Sequence, residues 1–175
     1  TSPERKCMML AELDRSIPRT ALLIAIAMAA VVGTALAFEH IGGYLPCKLC
    51  LEQRTPYYLG VPVMILAALA ARNSSLRNVT KGLLAIGGLL MAYGLALAIF
   101  HAGVEWAWWA GPTDCVAAAT SITIDADDLL GDINAIKPPS CDKAALRILG
   151  LSFAGWNVPA SLALILVSFR AAWKA

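Results

Sequence analysis

The sequence predicts an all-α integral membrane fold: a four-helix bundle with two outward loops and a short amphipathic interfacial helix in the second. Three observations predict it. First, 59% of the 175 residues are hydrophobic and only 15% are charged, against about 45–50% and about 25% in an ordinary soluble domain. A chain this short cannot hide that excess in one core, so lipid is part of its solvent. Second, the apolar residues are gathered into four blocks. Third, the basic residues fall on alternate connections between the blocks. The low charge excludes disorder, and a net charge of +2 without a basic stripe excludes a nucleic-acid partner.

Taken in order, the first block runs from Ala21 to Phe38 without a charge, and the third from Gly82 to Phe100. Both approach the about 20 apolar residues that a helix needs to cross a bilayer. The second, Tyr57 to Ala71, is 15 residues long and contains Pro62; it must borrow Pro56 and its neighbours or lean on a partner helix. The fourth covers Val158 to Phe169 and extends to Trp173. A buried soluble helix is the alternative for the second and fourth blocks. The whole chain, 1–175, reads as one four-span domain, with spans at about 21–38, 57–71, 82–100 and 158–173 and outward loops at about 39–56 and 101–157. A cleavable leader is the alternative for the first block. Glu4, Glu12 and Asp14 before it and the absence of a small-residue cleavage site after it favour a retained span.

Nine of the 14 basic residues lie before the first span, between the second and third, or after the fourth. By the positive-inside rule both termini and the middle connection are cytoplasmic, and the first and third connections face the other side. The third also carries seven acids between Glu105 and Asp142. In a bacterium the outer side is the periplasm, and the membrane is the inner one.

This partition, made without reference to cysteine chemistry, puts four of the five cysteines outside: Cys47 and Cys50 in the first loop, Cys115 and Cys141 in the third. Paired cysteines in an oxidising compartment are expected to form disulfides. Cys7 is left on the cytoplasmic side as a thiol without an evident role.

Cys47-Lys48-Leu49-Cys50 is the sharpest local feature. A C-x-x-C at a helix start sets one sulfur near unsatisfied backbone N–H groups, which favour a thiolate. Pro46 ends any upstream helix, and Leu51 onward reads as helical. Arg54, four residues after Cys50, then shares its face and brings a fixed cation. Three readings are open: a redox pair, half of a zinc site completed by Cys115 and Cys141, or a structural bridge. The 26 positions between Cys115 and Cys141 do not form a second zinc knuckle, and a bridge closing so small a loop constrains the unfolded chain least.

Cys115 and Cys141 follow turn-forming residues, Gly111-Pro112-Thr113-Asp114 and Pro138-Pro139-Ser140. Between them, Asp125 to Ile136 alternates apolar and acidic residues like a short amphipathic helix on a membrane surface. A loop clipped by one disulfide could present it to a soluble partner, or the disulfide could be a plain staple. Two cysteine pairs on one side, one of them beside the membrane, suggest an electron relay by thiol–disulfide exchange. The chain has no haem, Rossmann or flavin motif, so a lipid-soluble quinone is the natural terminal acceptor.

The stretch Gly43-Tyr44-Leu45-Pro46-Cys47-Lys48-Leu49-Cys50-Leu51-Glu52-Gln53-Arg54 resembles the P-C-x-L-C-x-x-x-R signature of the DsbB family of quinone-linked disulfide oxidoreductases. His101 to Glu105, Gly111 to Cys115, Pro139 to Asp142 and Leu149 to Asn157 match as well. The resemblance covers nearly all of residues 21–170. It implies a quinone-dependent protein-disulfide oxidoreductase that re-oxidises a periplasmic, thioredoxin-fold thiol oxidase, DsbA. It also implies that the Cys115–Cys141 disulfide is attacked at Cys115. Cys141 then pairs with Cys47, and Cys50 is released to reduce ubiquinone or menaquinone. Arg54 would stabilise the charge that develops, and His101 matches a position near the quinone. Trp106, Trp108 and Trp109 read as an interfacial belt.

Three rivals stand beside this. Vitamin K epoxide reductase-like enzymes carry their C-x-x-C on the last span, whereas here it precedes the second. A non-enzymatic membrane protein could use the disulfides only to brace loops. A haem carrier would have to use His40 and His101, and no metal site is expected.

Overall fold

The computed structural model describes residues 3–112 and 141–175, with the side chains of the first helix described from residue 16 onward. Cys115, the interfacial helix expected between residues 122 and 136, and the side chain of Cys7 lie outside the described residues.

Among the described residues there are four α-helices: α1 (Pro3–His40), α2 (Lys48–Ala70), α3 (Arg77–Glu105) and α4 (Phe153–Lys174). A single 3₁₀ turn at Ser74–Leu76 leads into α3. Each helix packs on its neighbour in sequence, and α1 and α4 close the ring. At the basic end, the guanidinium of Arg77 donates to the carbonyl of Ala175, tying the start of α3 to the end of α4.

In the interior small residues alternate with methionine and leucine. The buried positions of α3 include Thr80, Leu84, Gly87, Met91, Gly94, Ala98 and His101, spaced alternately four and three apart. That is the 3.5-residue period of a supercoiled seam. The buried residues of α4 (Ala154, Ser161, Leu164, Ser168 and Ala171) keep the same register. A Cβ on Gly87 would lie 1.8 Å from Met64 Cε, so this glycine makes room for the α2 side chain, whereas one on Gly94 would meet the Pro56 ring at an ordinary contact distance of 3.5 Å. The outside is the reverse: Leu23, Ile26, Leu66, Leu89 and Leu166 are all exposed. Small residues inside and leucine outside is the arrangement of helices that pack in lipid.

Among the described residues, three helical segments are long and apolar enough to cross a membrane: Ser16–His40, Ser74–Glu105 and Phe153–Lys174. The chain is therefore a multi-pass membrane protein. α2 is not among them. The span expected at 57–71 is the inner part of a helix that begins nine residues earlier, at Lys48, and Glu52, Gln53 and Arg54 lower its mean hydropathy. Its 23 residues measure about 34 Å along the axis, enough to match its neighbours, and its buried stripe faces α1 and α3.

Two local stops shape the outer end. α3 ends in a Schellman motif, with Trp108 N–H donating to Gly103 C=O at 2.9 Å and Ala107 N–H to Val104 C=O at 3.1 Å. Ala107 takes the left-handed position at φ 57°, which glycine would occupy without strain. Ahead of α4, the strands β1 (Arg147–Ile148) and β2 (Leu151–Ser152) pair antiparallel through Leu149 and Gly150, both at positive φ. This is the primed two-residue hairpin turn, within the stretch that the sequence predicts as outward loop.

Gly87→Val should overfill the α2–α3 contact, because Met64 is itself fully buried. The expected loss is about 1–3 kcal/mol, read as a lower midpoint of thermal unfolding in micelles. Leu89→Ala, on the lipid face, should leave the midpoint nearly unchanged.

Candidate functional site

The site forms where the first turn of α2 meets the last turn of α3. Cys47 is the N-cap of α2 (φ −76°, ψ 171°), and its sulfur accepts the Cys50 backbone N–H at 3.3 Å. The C-x-x-C thus stands at a helix start, as expected, and the sulfur replaces the oxygen of an ordinary cap. Sγ of Cys47 lies 2.9 Å from Sγ of Cys50, and a disulfide of about 2.0 Å needs little further approach.

Cys141, only 1% exposed, packs against Cys47, Leu49 and Val104. Three of the four expected cysteines therefore converge, and all three are free thiols here. The electrostatics divide the first pair unequally. The Cys47 thiol donates to Cys50, and that hydrogen bond, assisted by the Cys47 backbone and by Arg54, holds the Cys50 thiol below its ordinary pKa although burial and the Glu105 carboxylate oppose it. Cys47 moves the other way, first because its proton serves Cys50 and then because it is buried. Negative charge is therefore favoured on Cys50 over Cys47.

His101, 2% exposed, sits against the same pair, its Nε2 at 3.6 Å from Cys47 Sγ. The donor atoms of Cys47, Cys50 and His101 lie within 4.8 Å of one another. Tetrahedral zinc would hold two sulfurs about 3.8 Å apart on bonds of about 2.3 Å, wider than the 2.9 Å found; the spacing suits a sulfur pair that bonds to itself. His40, at the exposed end of α1, is not in the cavity wall.

Arg54 enters the same site and is not alone. Its guanidinium is ion-paired with Glu39 at the end of α1, both side chains being mostly buried. Cys50, Arg54, Glu39, Gln53 and His101 line one cavity of about 310 Å³. Its other walls are apolar, with Phe38 4.8 Å from Phe153 and Tyr44 6.3 Å from Phe153, ring centre to ring centre. The tryptophans cluster at this end of the bundle: Trp106 and Trp108 are exposed, while Trp109 stacks on Phe100 and donates to its carbonyl at 2.8 Å.

Gln53, Glu105, Tyr57, Asn157 and Glu39 were not read from the sequence as site residues. A signal for two of them existed. Gln53 follows the inner stripe of α2, and Asn157 falls on the 154–161–164 register of α4. Polar side chains on an inward stripe of a membrane helix need partners.

The family model for disulfide bond formation protein DsbB matches residues 18–171. The chain is 28% identical over 168 residues to disulfide bond formation protein B of Polaromonas sp., covering 91% of this chain and 93% of that one. It is 28% identical over 149 residues to the Verminephrobacter eiseniae protein of the same name, covering 83% and 80%. With the Cupriavidus necator protein it shares 36% identity over 80 residues, 46% of each chain, so this match spans about half the length of that relative. No solved structure matches the chain.

In the reduced protein, alkylation of Cys50 should persist as the pH falls below the about 8.5 of a free thiol, because the thiolate survives down to its lowered pKa. Cys47 should react only at higher pH. Cys47→Ala removes the donor and should move the Cys50 profile upward; mass spectrometry of labelled peptides against pH reads both.

Proposed function

The chain belongs to the DsbB family of disulfide bond formation proteins, and on that premise we propose that it re-oxidises a periplasmic DsbA-like thioredoxin-fold partner and delivers the electrons to a membrane quinone. The observation that carries this reading is one juxtaposition. The Cys50 sulfur and the Arg54 guanidinium open into the same mostly apolar cavity, and Cys47 stands behind Cys50 with Cys141 packed against it.

The cavity fits a quinone headgroup. About 310 Å³ of space with aromatic walls is at the small end of ligand pockets, and a few polar groups converge at one side. When bound, ubiquinone or menaquinone supplies a two-electron acceptor there. Arg54 offers further N–H donors beyond the one engaged by Glu39, and Cys50 supplies the electrons from sulfur.

The cysteines act in sequence. Cys115 takes the partner's thiolate in a mixed disulfide and releases Cys141. Cys141 attacks Cys47, the Cys47–Cys50 bond breaks, and the electron pair leaves on Cys50, the sulfur whose negative charge this site favours. The packing of Cys141 on Cys47 supports that exchange. In this reading the chain is one four-span domain of the bacterial inner membrane, with the inner part of α2, from Tyr57, as its second span, both termini cytoplasmic and the loops 39–56 and 101–157 periplasmic.

Reduced DsbA-like partner plus quinone should give quinol with the intact protein and none with Cys50→Ser or Cys47→Ser, followed by quinone absorbance. Intact reduction in both variants would sink the relay. Arg54→Ala should raise the quinone KM about tenfold or more, as for loss of a hydrogen bond from a charged group, and leave the partner KM in place.

A further inference from the structure

The relay leaves unused a run of buried polar side chains behind the cysteines. The Tyr57 hydroxyl donates to Asn157 Oδ1 at 2.5 Å, and Asn157 Nδ2 donates to Gln53 Oε1 at 2.7 Å. That bond turns the carboxamide nitrogen of Gln53 toward His101, 2.6 Å from Nδ1. An amide N–H only donates, so Nδ1 accepts and the neutral ring carries its proton on Nε2. Nε2 stands 3.6 Å from Cys47 Sγ. On its other side, Glu105 Oε1 is 3.7 Å away, and the Cys141 backbone carbonyl also faces the ring. The Cys50 backbone N–H reaches the same sulfur at 3.3 Å. The Cys50 N–H of α2 is therefore directed at this sulfur, and the ring N–H of α3 lies within reach of both the sulfur and the Cys141 carbonyl; Cys47 as a whole is only 6% exposed.

The geometry points to a thiolate cradle: His101 is a catalytic hydrogen-bond donor to Cys47 Sγ, held as the Nε2–H tautomer by the positioning residues Gln53, Asn157 and Tyr57. This rests on the proposed relay, in which Cys47 must leave its disulfide with Cys141. When a thiolate attacks Cys141, a new S–S bond forms to Cys141, the Cys47–Cys141 bond breaks, and its electron pair stays on Cys47 Sγ. The exchange has no net oxidation and moves no proton. The charge appears where little water reaches it, so fixed donors take the place of solvent. Because the donors are already oriented, no reorganisation is needed when the charge arrives.

The test uses full-length protein carrying Cys50→Ala and Cys115→Ala, oxidised to the Cys47–Cys141 disulfide and opened by glutathione without quinone or partner. Mass spectrometry separates the arm that frees Cys47 from the arm that frees Cys141. His101→Leu should slow the first arm about ten- to hundredfold, in line with loss of one oriented donor, and leave the second within about twofold by the same measure. His101→Gln, which keeps an N–H at that place, should restore most of the rate. In the unaltered protein, ¹⁵N spectra of His101 should show the proton on Nε2, and Gln53→Glu should move it to Nδ1. Equal slowing of both arms, no slowing of either, or a proton on Nδ1 in the unaltered protein would overturn the proposal. Since no quinone is present, failure here leaves the acceptor assignment standing, and failure of the quinone assay leaves this result standing.

Discussion

The sulfur of Cys47 is the constraint on which the outer end of the bundle depends. As the N-cap of α2 it takes the Cys50 N–H, while its own carbonyl accepts from Leu51 N–H at 3.1 Å and opens the helix. Those two bonds fix where α2 starts, and so set Cys50, Gln53 and Arg54 on successive turns facing the other helices. A serine or aspartate would cap more strongly; sulfur gives a weaker acceptor but one that can exchange bonds. The cap and the reactive group are the same atom, so the geometry that begins the helix also holds the disulfide partner one turn away. The 2.9 Å approach of the two sulfurs follows from that cap.

What surrounds this atom is possible because the helices run close together. Gly87, Gly94 and Ala98 on α3, and Ser161 and Ser168 on α4, leave room for backbones to approach. The same seam, continued one turn outward, brings His101 into the interior. Dispersion and close packing hold such helices together, since lipid competes equally for leucine. Polar residues at the seam's outer end find partners across helices: Gln53 of α2 with His101 of α3, and Asn157 of α4 with Gln53 and Tyr57 of α2. Among the described residues, Glu105 Oε2 and Ser168 Oγ are the buried side-chain atoms without a partner, and Glu105 stands beside the ring that faces Cys47.

Much of this was legible in the sequence for a physical reason. Hydropathy reports what lipid touches, and it located the first, third and fourth apolar blocks. Charge reports which side a connection faces, and it put Cys47, Cys50 and Cys141 together before any geometry was known. Both signals fail at the start of α2. Hydropathy begins the block at Tyr57 because Glu52, Gln53 and Arg54 look like loop, whereas the helix begins at Lys48 because Cys47 caps it and Gln53 and Arg54 find partners on α1, α3 and α4. Pairings such as Glu39 with Arg54, or Gln53 with His101, 48 positions away, join different helices and leave no local pattern. The hairpin at residues 147–152 was hidden too, because Leu149 stands in its turn where asparagine or aspartate usually signals one.

The Glu39–Arg54 pair shows how a charged group can serve an apolar cavity. An unpaired guanidinium at the membrane edge would draw water into the space between α1 and α2, and desolvating it would be costly. Pairing it with Glu39 cancels the net charge of the wall while the planar fork keeps N–H groups in fixed directions. The pair also bridges the end of α1 to the second turn of α2, so the cation cannot swing away from Cys50 without breaking a contact between helices. Its field on the Cys50 sulfur is accordingly steady, and it adds to the hydrogen bond from Cys47 in favouring the thiolate. In the proposed function, a lipid-soluble, oxygen-bearing acceptor would use this combination: walls dry enough to admit it, one oriented donor to meet its oxygen, and beside it a sulfur on which negative charge is favoured.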